Sequence, residues 1–238
     1  MPETKKMAAA AGRNAASRAQ GKRHLKAHCW LGAVLLGHFA VVCAIKAATG
    51  ATGQIVWLSH FGLLIAGVGL IVRSPMLIAV AFVDVLVLHG IWLVDCICGL
   101  AGGTHPLGVT SYLNHADIWD WIATAHHFYL APLLIVLIHR QRSFPVEALP
   151  AAVAVYLILT VISRGVLSPA DNINYAWGVP VAEYLPLIAW GNQRDGSFYL
   201  VGLNAFVFVY MLLPAFLIGR RLAGVTGREK TATPAMCA

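Results

Sequence analysis

The sequence predicts an all-α integral membrane protein, a bundle of six transmembrane helices with both termini in the cytoplasm. Three observations carry that expectation. Of 238 residues, 59% are hydrophobic and only 11% charged, with a mean hydropathy of +0.72, whereas soluble domains carry about 25% charged residues. Apolar runs recur six times, each near the roughly 20 residues that cross a bilayer as a helix. The basic residues also separate by side. The tail, second loop, fourth loop and C-terminus hold Lys5, Lys6, Arg13, Arg18, Lys22, Arg23, Lys26, Arg73, Arg140, Arg142, Arg220, Arg221, Arg228 and Lys230, leaving Lys46, Arg164 and Arg194 for the other side. The positive-inside rule places the richer side in the cytoplasm.

Taken in order, residues 1–27 are rich in Ala, Lys and Arg without apolar periodicity and read as a disordered or surface-lying tail. The six spans are placed at 28–47, 54–72, 76–99, 119–138, 148–167 and 198–219, within one membrane domain over 28–221, with a short tail at 222–238. The first span is long enough to stay in the membrane, so no cleavable signal peptide is expected. Two longer loops, 100–118 and 168–197, are rich in Gly, Pro, Asn and aromatics and lie on the outer side. Six tryptophans fall near that face (Trp57, Trp92, Trp119, Trp121, Trp177 and Trp190), as an aromatic belt at headgroup level would have them.

The net charge of +7 would suit nucleic acid, but its placement at span ends and in the tail fits topology and lipid headgroups instead. Membrane lipids are the expected partners, with no nucleic acid; a homo-oligomer or a larger complex stays open. The expected location is the inner membrane of a bacterium. Five cysteines form no C-x-x-C pair. Cys96 and Cys98 could ligate metal or pair with Cys43, but membrane cysteines are commonly small apolar packers.

Polar groups inside a membrane are costly and mark sites by default, and here they share a depth. Ser59 and His60 lie roughly 8–10 Å below the outer end of the second span, and His126 and His127 roughly 10–13 Å down the fourth, at 1.5 Å per residue. His89 reaches a similar level on the third span, with Asp84 deeper and Asp95 near the mouth. Arg164 sits near the outer end of the fifth, which makes Asp95–Arg164 a plausible ion pair. Each group also has a bland reading. An intramembrane serine commonly bonds its own helix carbonyl, and a lone histidine commonly joins two helices. His126 and His127 are about 100° apart on a regular helix, so only one would face a given site.

Two chemistries suit the cluster. In the first, His127 activates the Ser59 hydroxyl as a nucleophile, with Asp95 or Asn174 orienting the ring. In the second, His60, His89, His126, His127 and the aspartates hold a metal. The ligand pairs at i, i+3 or i, i+4 that helices use for metals are not evident. No cofactor is therefore expected and no metal ligand is assigned, although the histidine cluster leaves a metal open.

Trp57-Leu58-Ser59, Trp92-Leu93-Val94-Asp95, Gly108-Val109-Thr110-Ser111-Tyr112, His127 with Pro132, and Asn172-Ile173-Asn174-Tyr175-Ala176-Trp177-Gly178 resemble an uncharacterised bacterial family of multi-span "membrane-associated" proteins over residues 54–180. No activity comes with that likeness. More distantly, the order of Trp57-Leu58-Ser59, His127 and Asn172-Ile173-Asn174-Tyr175 is similar to the androgen-induced and YwaF-type six-span membrane hydrolases and acyltransferases. There a threonine or cysteine stands where this chain has Ser59. The resemblance implies Ser59 as nucleophile and His127 as general base, with the Asn-Ile-Asn-Tyr segment lining or orienting the site.

The expected function is an intramembrane serine/histidine lipid ester hydrolase or acyltransferase with its pocket toward the outer leaflet. Ser59 and His127 are catalytic. His60, His89, Asp95, His126, Arg164, Asn172, Asn174 and Tyr175 line or orient the pocket, and Asn172, Asn174 or His60 could serve as oxyanion donor. The alternatives are a small-molecule or proton binding and transport protein, and a non-catalytic accessory subunit of a membrane complex.

Overall fold

The computed structural model describes residues 26–179, 190–193 and 195–224, and those residues form helices, turns and loops with no strand. Most of the two expected tails and the middle of the loop after the fifth predicted span lie outside the described residues. Among the described residues, five helices are long and apolar enough to cross a membrane. They are α1 (Lys26–Ala48), α3 (Pro75–Gly102), the pair α4 (Ile118–Thr124) and α5 (His126–Gln141) read as one rod, α6 (Ala148–Gly165), and α7 (Gly196–Leu222). The second expected span is shorter than predicted: α2 (Leu58–Val72) has 15 residues.

The start of α2 has a local cause. Thr52–Val56 forms a 3-10 turn, and Trp57 takes an extended backbone (φ −58°, ψ 137°) that breaks the helix expected from residue 54. From the 173–175 turn, the Asn174 side chain accepts from the Leu58 N–H at 2.8 Å and donates to the Val56 carbonyl at 2.9 Å. The first N–H of a helix has no intrahelical partner, and Asn174 supplies one from outside. The link from α2 to α3 is equally specific. Arg73 stops α2 in the left-handed region (φ 56°), and the Ser74 hydroxyl accepts from the Leu77 N–H ahead of Pro75 at the first helical turn.

α3 is the axis of the bundle. Its 28 residues pack against α2, α5, α6 and α7, and Phe82 in its first third is fully buried, edge-on to Phe144 at 5.8 Å. The α2–α3 contact depends on a small residue: a Cβ on Gly62 would lie 2.1 Å from Val85 Cγ1. Close approach through small residues is how helices associate where no hydrophobic force drives them together. α1 stands at the rim, with Trp30 and Val34 exposed where lipid would lie. α7 contains a π-turn over Phe208–Leu212 that packs on α3.

The described cysteines Cys29, Cys43, Cys96 and Cys98 are all free. Cys96 is buried in a small cluster with Trp92 and Leu113 and Cys98 is exposed, so the apolar packing reading of Cys96 is the one the fold supports.

Candidate functional site

At one end of the bundle, the 3-10 turn after α1, the 103–117 loop and the 173–175 turn close around a cavity of about 600 Å³. Its wall includes Ser59 and His60 of α2, Leu88 and Trp92 of α3, Thr124 and His127 of the α4–α5 rod, and Tyr112 and Tyr175 from the loops. Lys46 and Asp120 form an ion pair at its edge, 3.6 Å apart. Outside the spans, burial pushes the Tyr112 phenol up to about 12 and also holds Tyr175 above the ordinary tyrosine range. Both therefore remain neutral at physiological pH.

Beneath this cavity lies a cluster of imidazoles contributed by four elements. His38 comes from α1, His60 from α2, His89 from α3, and His126 and His127 from α5. Ring centroids are 4.2 Å apart for His126–His127, 4.4 Å for His89–His127, 5.5 Å for His89–His126, 5.1 Å for His60–His126 and 5.8 Å for His38–His126. Trp92 stacks flat on His127 at 4.4 Å. His89 and His126 are fully solvent-inaccessible.

Both adjacent histidines reach the cluster just past the junction of α4 and α5. The turn at Ala125 tightens: its N–H bonds the Ile122 carbonyl, and the Phe128 N–H bonds the Ala125 carbonyl. The His126 and His127 Nδ1 atoms then close onto the carbonyls of Ala123 (3.0 Å) and Thr124 (2.9 Å). A backbone carbonyl only accepts, so each Nδ1 carries the proton and each Nε2 keeps its lone pair. His60 follows the same pattern, its Nδ1 donating to the Gln54 carbonyl at 2.8 Å.

The Nε2 of His126 and both ring nitrogens of His89 are buried without a hydrogen-bond partner. One ligand nitrogen from each of His89, His126 and His127 lies within 4.8 Å of the others. Buried polar atoms are nearly always satisfied, and an imidazole whose Nδ1–H is held by a carbonyl while Nε2 is free has the arrangement of a metal ligand. Cysteine and carboxylate take no part in this ligand set.

The other expected site residues divide. Ser59 and His127 line the same cavity, and the Ser59 hydroxyl makes no hydrogen bond to a described residue, not even to its own helix. The orienting partners do not meet them. Asp95 accepts from the Leu107 N–H (2.6 Å), the Thr110 N–H (2.7 Å) and the Thr110 hydroxyl (2.8 Å). It folds the 103–110 loop and pairs with neither His127 nor Arg164. The expected Asp95–Arg164 ion pair is therefore replaced: two backbone N–H groups and a hydroxyl already satisfy the carboxylate. Arg164 instead lies 3.7 Å over the Trp177 ring and donates to the Ala176 carbonyl at 2.9 Å.

Asn172 is also spent on structure. Its Oδ1 accepts from the N–H groups of Trp177 (3.0 Å) and Gly178 (3.2 Å), and its Nδ2 donates to the Gly178 carbonyl. Asn174, besides holding the start of α2, donates to the Ser163 hydroxyl at 3.1 Å. Both N–H groups of Asn174 are thus spent, and Asn172 spends one of its two on Gly178. Tyr175 lines the cavity.

His38 is the member that the sequence reading missed. Its Nδ1 pairs with the Tyr129 hydroxyl and its Nε2 with the Ile122 carbonyl at 2.9 Å, so it braces the break from the α1 side. The rule that an ionisable residue inside a span marks a site would have found it.

Comparison with family models, curated proteins and solved structures returned no match. The functional reading therefore rests on the site.

Proposed function

We propose that this chain is a metal-dependent membrane hydrolase whose three-histidine centre, His89, His126 and His127, lies at the base of a cavity facing the outside of the cell. The observation that carries the reading is the convergence of three buried imidazoles, two with Nδ1 locked on backbone carbonyls and the third with no partner at all. Three neutral histidines with a further position open is a donor set of catalytic zinc, and such an ion supplies Lewis-acid and water-activating chemistry. Of the three, His127 alone lines the cavity, so water or substrate would reach an ion held here from the His127 side. Six crossings, with α2 as the short one, put both termini in the cytoplasm and the cavity outside, in keeping with the basic residues.

A second reading keeps the serine mechanism. Ser59 shares the cavity with His127, and its hydroxyl makes no hydrogen bond to a described residue. In that case His127 Nε2 is the base, and the Thr124 carbonyl, in place of a carboxylate, orients the ring.

One experiment separates the two. Protein purified without chelator is analysed for first-row transition metals as wild type, His89→Ala and His126→Ala, and each form is labelled with a fluorophosphonate probe beside Ser59→Ala. About one ion per chain in the wild type, lost in both histidine variants, supports the metal centre. No ion in any form after loading with Zn²⁺, Co²⁺ or Cu⁺, together with labelling that Ser59→Ala removes, overturns it in favour of the serine.

A further inference from the structure

A second cavity of about 470 Å³ shares a wall with the first, formed by Leu88, Val109 and Tyr175. Its far side is α7, where Leu203, Val207 and Met211 line it, and the lining is almost wholly apolar. Its few polar groups are already paired. The Asn192 amide exchanges hydrogen bonds with the Val179 backbone at 3.1 and 3.2 Å, and the Tyr199 hydroxyl donates to the Tyr175 carbonyl at 2.6 Å.

Water needs two to four polar partners to occupy such a space, and the described lining offers almost none. Left empty, it would forfeit packing in proportion to its volume. It is within the size range of small-molecule sites. The π-turn begins at Phe208, directly after Val207, and includes Met211; turns of this kind recur at functional sites. Phe198 and Phe206 line the cavity and are also half exposed on the outer face of α7, so it reaches the surface that lipid would cover.

We infer that the ligand of the histidine cavity is a single-chain amphiphile. Its polar group enters the histidine-lined cavity, and its one hydrocarbon chain lies in the apolar cavity along α7. The assignment of the polar end rests on the proposed metal centre; the assignment of the chain rests on the apolar cavity alone. Leu88, Val109 and Tyr175 line both spaces, so one molecule passing beside these three side chains would place its head in the first and its tail in the second.

Two photoreactive forms of hexadecanoic acid test this, one with a diazirine at the chain end and one with it beside the carboxyl. Each is crosslinked to the purified protein, and the adducts are mapped by mass spectrometry. The chain-end probe should label Leu203–Met211, and the head-end probe should label around Trp92 and Thr124. Gly202 also lines the apolar cavity, and a Cβ there meets no atom within 4 Å. Gly202→Phe should thus fill the space and cut chain-end labelling at least tenfold while the metal content stays unchanged.

Head-end labelling around Trp92 and Thr124 that is unchanged in protein stripped of metal by a chelator, with the chain-end sites kept, would sink the metal centre and leave the chain site standing. Adducts scattered over lipid-facing residues, equal in wild type and Gly202→Phe, would overturn the inference even with one ion per chain.

Discussion

At the scale of single residues, the buried polar side chains divide into those with every group satisfied and those with lone pairs to spare. Asp95 belongs to the first kind. Asp95→Asn turns an amide N–H₂ toward donors that now have no acceptor, at a cost of about 1–3 kcal/mol. The expected result is a lower melting temperature with metal content retained, read by a thermal-shift assay and elemental analysis on one sample. His126 belongs to the second kind, and His126→Ala should lose the ion with a smaller loss of stability, since its Nε2 satisfies nothing in the metal-free chain. The sequence made it plain that Asp95 needed a partner inside a membrane. It did not say which, because the partners are backbone N–H groups twelve and fifteen residues on, and backbone groups carry no residue signature. The same holds for Asn172 and Asn174. Both were visible as a distinctive segment, but their bonds to main-chain atoms make them architectural.

At the scale of elements, the break at Ala125 decides the site. A regular helix would turn His126 and His127 about 100° apart, and the reading that only one could face the cluster follows from regularity. Past the tight turn both Nδ1 atoms bond carbonyls three residues back, and a pair that matches no i, i+3 or i, i+4 pattern still lies together in the cluster. Composition could not show this, because nothing in Ala123-Thr124-Ala125 announces a break. The α2–α3 contact offers the matching stability test. Gly62→Leu pushes a side chain into Val85 and should cost about 1–3 kcal/mol by overpacking. Val85→Ala in the same chain should return part of that loss. Urea or thermal unfolding of the two single variants and the double would measure the coupling, and strict additivity would count against the contact.

For the whole molecule, composition and charge placement were enough to read an all-helical membrane protein, since both are properties of the solvent the chain must meet. They could not rank the helices. That α3 is the axis and α1 the rim follows from which faces are buried, and a helix apolar all round gives no such sign. The helix at the second expected span is short because a side chain 116 residues away starts it at Leu58. The proposed topology can be checked directly. A fluorescent protein fused after Ala238 should mature and glow, whereas alkaline phosphatase at the same point should be inactive. The opposite pair of results would place the cavity on the cytoplasmic side.

The flat stack of Trp92 on His127 has an optical consequence. An indole held in contact with an imidazole 4.4 Å away would share its excited state with whatever that imidazole binds. Cobalt or copper is an efficient quencher at such range, and zinc is not. Of the seven tryptophans in the chain, Trp92 is the one placed to report. Its emission should dim in step with cobalt added and recover with chelator, so the protein carries its own gauge of occupancy.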